Sequence, residues 1–280
     1  MKLGIVDVGG GYRGVYAAGV LDYCLDHGIQ FDLGIGVSAG SANLITFAAN
    51  QRSRTFRFYT EYGLRKEYAG LKNFFTKRTF LDLDYVYGTL SNSDGEDPLD
   101  YLAVMKSNMD LLFVASEAES GNATYFTKAH LKQDDYAPLK ASCAIPFICH
   151  PYPVDDTLYL DGALADPVPI QKAFDEGCDK VVLLLTRPED YRRSSKQDRL
   201  LARMIRGPFP IAADKLCQRA EHYNNDIQYA KQLAQLGKLL IVAPDDTCGV
   251  STLSRNKENL LRLYDKGYHD GGIITDFISS

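Results

Sequence analysis

No run of apolar residues in this chain is long enough to cross a bilayer. The first residues carry no charged stretch followed by an apolar one. They open directly on the strand-like run Leu3-Gly4-Ile5-Val6, so the expectation is a cytoplasmic protein without a signal peptide. The six cysteines, Cys24, Cys143, Cys149, Cys178, Cys217 and Cys248, are scattered without a C-x-x-C spacing. In a chain of this size that pattern predicts reduced thiols and neither a disulfide framework nor a metal site. An excess of positive charge is missing too: 31 Lys+Arg stand against 36 Asp+Glu, for a net charge of -5. Nucleic acid and a strongly anionic bilayer are therefore not expected as main partners, although a local basic face remains open. Internal repeats, low-complexity tracts and a convincing domain boundary are also lacking.

What is present is a pattern of short apolar runs between longer helical ones. The chain has 280 residues, 45% of them hydrophobic, enough for one large core. Residues 1–280 are read as a single domain, with 51–110 as a candidate helical cap and 187–280 as a helical C-terminal part. Leu3 to Val8, Phe31 to Val37, Leu158 to Leu160, Val181 to Thr186 and Leu239 to Ala243 read as strands. Leu111 to Glu117 and Ala123 to Thr127 read as a strand pair turning at Gly121-Asn122. Tyr12 to His27, Ser38 to Asn50, Leu131 to Cys143, Phe209 to Leu236 and Leu253 to Tyr268 read as helices. Ser91 to Pro98, polar and acidic, reads as an exposed loop. Strands interleaved with helices predict an α/β three-layer sandwich: a mostly parallel central sheet with helices on both faces.

Val8-Gly9-Gly10-Gly11-Tyr12-Arg13-Gly14 puts glycines where the first strand turns into a helix. Such a turn allows positive φ, and its free N–H groups favour negative charge: a phosphate, or the oxyanion of an acyl-transfer intermediate. Gly9, Gly11 and Gly14 also fit the dinucleotide spacing G-x-G-x-x-G. That reading wants an acid at the end of the second strand, where Val37 stands; Asp32 opens that strand instead. A plain packing turn is the third reading.

Gly36-Val37-Ser38-Ala39-Gly40 fits G-x-S-x-G after an apolar strand and before a helical run. Glycines two residues to either side relieve the crowding of a tight turn that lifts the Ser38 hydroxyl out of the sheet. A hydroxyl needs a base to become a nucleophile. His269, followed by Asp270, offers an ordinary Ser-His-Asp triad. His27 reads as a helix-ending cation, and His130 and His222 as solvated. Asp161, at the end of the apolar run Leu158-Tyr159-Leu160 and before Gly162-Ala163, offers a carboxylate base that also serves a deacylating water. A surface Asp-Gly turn is the bland alternative.

Together these segments resemble the patatin-like phospholipase family. The Gly9-Gly10-Gly11-Tyr12-Arg13-Gly14 turn looks like its oxyanion motif, and Gly36 to Gly40 like its nucleophile elbow. Ala141-Ser142-Cys143-Ala144-Ile145-Pro146 is similar to its small-residue helix, and Asp161-Gly162-Ala163 before Asp166-Pro167-Val168-Pro169 to its aspartate turn. The match runs from residue 4 to about residue 186. The resemblance implies a Ser38–Asp161 dyad without histidine or cofactor. It also implies an oxyanion hole at the Gly10 and Gly11 amides, extended by Tyr12 or Arg13, and a lipid or acyl-ester substrate met in transient contact with a membrane surface. Nucleotide binding and a non-catalytic lipid-binding role are the competing classes.

Residues 55 to 90 hold ten aromatics: Phe56, Phe58, Tyr59, Tyr62, Tyr68, Phe74, Phe75, Phe80, Tyr85 and Tyr87. Arg57, Arg65, Lys66, Lys72, Lys77 and Arg78 lie among them. Most of these rings are expected to be ordinary packing, with a few touching substrate.

Overall fold

A computed structural model of the chain describes residues 1–70, 73, 75–76 and 78–279. Lys72, Phe74 and Lys77 of the expected cap lie outside the described residues. At the centre stand four parallel strands built on apolar runs, three of them buried along nearly their whole length and the fourth, at the edge, half-buried. They are β1 (Leu3–Asp7), β2 (Leu33–Val37), β7 (Lys180–Leu184) and β8 (Leu239–Val242). β1 pairs with β2 on one edge and β7 on the other, and β7 pairs with β8. β3 (Asp110–Glu117) runs parallel to β2. β4 (Ala123–Thr127), β5 (Tyr152–Val154) and β6 (Thr157–Asp161) add antiparallel pairings at the β3 side.

Alternation along each strand divides the core between two faces. Ile5, Phe113, Val182 and Leu184 belong to one apolar cluster, with helices α1 (Val15–Asp26), α2 (Ala39–Ala48) and α9 (Lys257–Asp270). Val6, Val114, Val181 and Leu183 belong to the other, with α6 (Ile170–Asp175) and α8 (Pro210–Gln235). Each such side chain, fully removed from water, contributes about 1.5–3 kcal/mol. The three-layer α/β sandwich expected from the sequence is the architecture found.

Several local expectations change. The helix expected from Leu131 spans only Ala137–Ser142 (α5). Asp134 sits at φ 62 and Lys132 bridges Asp135, so the chain turns first; Pro138 then stands in the first helical turn, where a missing N–H costs nothing. β5 contains Pro153, and its place at the sheet edge is where proline is tolerated. The helix expected from Leu253 starts at Lys257, capped by the Asn256 side chain, which accepts the Asn259 N–H at 3.0 Å. Residues 51–110 hold short pieces: α3 (Arg54–Thr60), a 3-10 turn at Tyr62–Leu64, a π-helical turn at Tyr85–Leu90 and α4 (Tyr101–Lys106). The C-terminal part holds α7 (Ser195–Ile205) and α10 (Ile273–Ser279), and it also supplies β8. Ser91 and Asp97, expected in an exposed loop, are buried because Arg54 binds the Ser91 hydroxyl and both Arg54 and Arg57 bind Asp97. All six cysteines are free.

Candidate active site

β3 sets the geometry of the site. Val114 pairs with Val37 of β2 and, across its other edge, with Tyr125 of β4. Ala115, the next residue, pairs with Thr124 of β4 and with Asp161 of β6. Since β4 holds one edge, β2 and β6 share the other and meet end to end. β2 stops at Val37 and β6 stops at Asp161. Ser38 and Asp161 are thereby delivered to the same point from opposite directions.

Ser38 leaves β2 with φ 56 and ψ -125, a conformation that L-residues rarely adopt, and becomes the N-cap of α2. The turn closes only because its flanking positions lack side chains. A Cβ at Gly36 would run into the Ser41 backbone, and one at Gly40 into the Asp7 carbonyl. The first strand and the elbow pack backbone to backbone as a result. A Cβ at Gly162 would overlap the Val114 carbonyl, so the aspartate turn lies just as close on β3.

The segment Ser142-Cys143-Ala144, at the end of α5, clamps both Ser38 and Asp161. The Ser142 hydroxyl accepts the Ser38 N–H at 3.0 Å and shares a hydrogen bond with Ser41 at 2.8 Å. The Ala144 carbonyl accepts the Asp161 N–H at 2.9 Å. Small residues there let the helix end reach both strand ends.

Asp161 is 4% exposed. Burial raises its carboxyl above the ordinary range; the neighbouring Ser38 hydroxyl, the Ala163 N–H at 2.9 Å, and the charges of Arg219 and Arg193 act against that rise. Ala163 occupies the short turn after Gly162, and its amide fixes the Asp161 side chain.

Gly9, Gly10 and Gly11 have φ of 64, 124 and 62, and Gly11–Gly14 form a 3-10 turn. The Gly9 N–H donates to Asp7 at 2.8 Å and the Tyr12 N–H to the Thr252 carbonyl at 3.1 Å. The Gly10 and Gly11 N–H groups have no such acceptor among the described residues. The expected extension of the donor set to Tyr12 is thus corrected: its amide is occupied, and its hydroxyl binds the Gly63 carbonyl of the cap region. Arg13 is buried next to Gly10 and donates to Thr252 at 2.9 Å. Gly14 packs against the Tyr59 hydroxyl.

Sequence reasoning missed Asp7. Its carboxyl, fully buried and pushed up to about 6 by that burial, holds the Gly9 N–H and the Asn43 amide, each at 2.8 Å. No motif marks it, because an Asp inside a buried strand resembles any turn-proximal acid.

Ser38 borders two cavities. One is lined by Phe58, Tyr59, Tyr62, Tyr68 and Tyr87 with Leu139, so five of the aromatics between residues 55 and 90 share a cavity with Ser38. Phe56 instead packs on Tyr264, with ring centroids 4.3 Å apart, and Phe75 is exposed. The other cavity holds Gly9, Gly10, Gly11, Asp161 and four arginines. No histidine lines either one. His27 closes α1 against the Tyr23 carbonyl at 2.9 Å, and His269 is exposed with its ring on the Asp265 carbonyl at 2.7 Å. Asp270 accepts the Tyr16 hydroxyl at 2.7 Å and precedes the Gly271 that ends α9.

The arrangement is that of an α/β protein with a strained serine at a strand-to-helix turn, an aspartate beside it and free amides across from it, at the carboxyl ends of parallel strands. The chain belongs to the patatin-like phospholipase family, which it matches over residues 8–174. A domain of unknown function, DUF6363, matches over residues 209–273. The uncharacterized protein YjjU of Escherichia coli (strain K12) is 29% identical over 202 residues, 67% of this chain and 52% of that relative. The chain thus spans about half the length of that relative. VipD from Legionella pneumophila aligns at 12% identity with a TM-score of 0.49, over 98% of this chain and 67% of that one. Among the described residues no helix is long and apolar enough to cross a membrane.

Proposed function

We propose that this chain is a lipid acyl hydrolase working through a Ser38–Asp161 dyad. Ser38 Oγ attacks the ester carbonyl while Asp161 takes its proton. The carbonyl oxygen becomes an oxyanion held by the Gly10 and Gly11 N–H groups, in a site shielded from water. Collapse of this intermediate breaks the bond to the leaving alcohol, which receives the proton from Asp161. Water then attacks the acyl-serine; Asp161 accepts its proton and returns one to Ser38 as the fatty acid leaves.

One observation carries the reading: β2 and β6 end against each other on β3, so that Asp161 and Ser38 stand side by side in a place that water scarcely reaches. The ring-lined cavity on one side of Ser38 suits an acyl chain. Exposed Leu200, which lines the second cavity, and exposed Met204 one turn further along α7, with Arg199 and Arg203 beside them, make that helix face amphipathic and suited to transient contact with a lipid surface.

The test is hydrolysis of acyl esters of graded chain length by the wild type, Ser38→Ala, Asp161→Asn and His269→Ala. The reading expects the first two variants to be nearly inactive and the third to match wild type. Equal damage from His269→Ala and Ser38→Ala would instead support a histidine triad.

A further inference from the structure

The aromatic cavity at Ser38 follows helix α2. Its wall includes Ala39, Ala42, Ile45 and Thr46, which recur along one face of that helix. Ser38 caps the near end of α2, so position along the helix measures depth. Seven residues, at about 1.5 Å each, put Thr46 about 10 Å beyond Ala39. Ala42, one turn in, presents only a methyl group to the passage.

At the level of Thr46 the passage meets charge. The Arg54 guanidinium donates to the Thr46 hydroxyl at 3.3 Å, the Ser91 hydroxyl at 2.8 Å and the Asp97 carbonyl at 2.7 Å. The Asp97 carboxylate stands 3.6 Å from it, and Thr46, Ser91 and Asp97 are all buried. Arg54, Ser91 and Asp97 line the cavity as well; the remaining wall is mostly apolar or aromatic, with Leu83, Val86 and Phe58 among it. An alkyl chain accepts none of the Arg54 donors. Driving one into this cluster would part a buried guanidinium from its carboxylate. The chain therefore ends where the cluster begins. A C–C bond of about 1.52 Å at an angle of about 111° advances about 1.25 Å, so a depth of about 10 Å takes about eight carbons. The volume agrees with the length. The cavity measures about 80 Å³, room for about five to eight waters, and a methylene fills about the space of one.

We propose that the aromatic cavity is a chain-length ruler. With the ester carbonyl at Ser38, it seats an acyl chain of about eight carbons and cannot take a long one whole. The Arg54 cluster sets the stop, and the small side chain of Ala42 keeps the middle open. The inference rests on the hydrolase reading for the position of the ester.

The experiment uses 1-monoacylglycerols with butanoyl, hexanoyl, octanoyl, decanoyl and dodecanoyl chains, each below the concentration at which it forms micelles. In turnover, kcat/KM is expected to rise about fourfold per added methylene up to octanoyl, the gain from burying each one, and to stop rising beyond it. Ala42→Leu fills the passage one turn in. It is expected to lower the octanoyl-to-butanoyl ratio of kcat/KM about tenfold or more, by excluding methylenes that the wild type buries. In binding, calorimetry on Ser38→Ala reads the ruler even if no ester is hydrolysed: octanoyl binds more tightly than butanoyl, and dodecanoyl no more tightly than octanoyl. A steady rise through dodecanoyl, or a profile without dependence on length, overturns the ruler. So does an unchanged ratio in folded Ala42→Leu; should that variant not fold, the wild-type profile decides alone. Absence of hydrolysis with octanoyl-selective binding retained overturns only the hydrolase reading.

Discussion

Arg54, which lines the aromatic cavity, gives its guanidinium protons to the Asp97 carbonyl at 2.7 Å and the Ser91 hydroxyl at 2.8 Å, with the Asp97 carboxylate 3.6 Å away. Across Ser38, Arg13 and Arg219 each bury an Nε that meets nothing. The residue type and the burial are alike on the two sides; the partners are not. On the aromatic side the polar groups close among themselves and serve the fold. On the arginine side Arg13 Nε and Arg219 Nε stay unpaired, while other nitrogens of the same side chains bind Thr252 and Asp198.

That contrast can be broken first at the point both cavities share. Ser38→Ala and Asp161→Asn are expected to lower turnover by about 10⁴-fold or more, for neutral and phosphate-bearing esters alike. Steady-state assays on both substrates check this; a loss confined to one substrate breaks the account. Asp161→Asn should not unfold the protein, since it removes a carboxylate whose ionisation burial opposes. The same burial predicts an acid limb in kcat/KM above the ordinary carboxylate range, because Asp161 must be ionised to accept a proton.

Next in size is the test that sets the arginines of the two sides against each other. Arg54→Met strands part of the Asp97 cluster and is expected to cost about 3 kcal/mol in urea unfolding. Arg187→Gln, by the same measurement, should stay within about 0.5 kcal/mol of wild type. Equal costs would erase the distinction between the two sides. A comparable effect is expected at Asp7, which holds the glycine turn bordering both cavities. Its carboxyl titrates at about 6 in the fold against 3.8 ordinarily, so its stabilising contribution is present below pH 3.8 and lost as pH rises through about 6. Relative to wild type, Asp7→Asn should therefore gain about 2.4 kcal/mol between pH 4 and pH 8, read from unfolding curves at each pH. The smallest effect is His269→Ala, expected to change activity less than about twofold because the ring is exposed and outside both cavities.

The central sheet was legible because β1, β2, β7 and β8 are built on short apolar runs, and Gly36 and Gly40 around Ser38 mark a tight turn between an apolar strand and a helical run. Asp161 was legible as the end of an apolar run before Gly162. The register that joins them was not, since it depends on β3 offering one edge to two different strands. Nor was the role of Ser142, whose hydroxyl contact with the Ser38 amide crosses from another helix. The arginine cavity was invisible for the same reason: Arg13, Arg187, Arg193 and Arg219 stand far apart in a chain with net negative charge, and only the packing of α8 over the sheet brings them together. Helix limits failed where local chemistry overrode periodicity, as at Asp134 and Pro138.

The pairing of Ser38 with Asp161 is tested most directly by the rate of fluorophosphonate labelling, with peptide mapping, in wild type and Asp161→Asn. The account predicts modification at Ser38 in wild type and a rate about 10³-fold lower in the variant. Labelling at another residue, or an unchanged rate at Ser38 without the carboxylate, would contradict it.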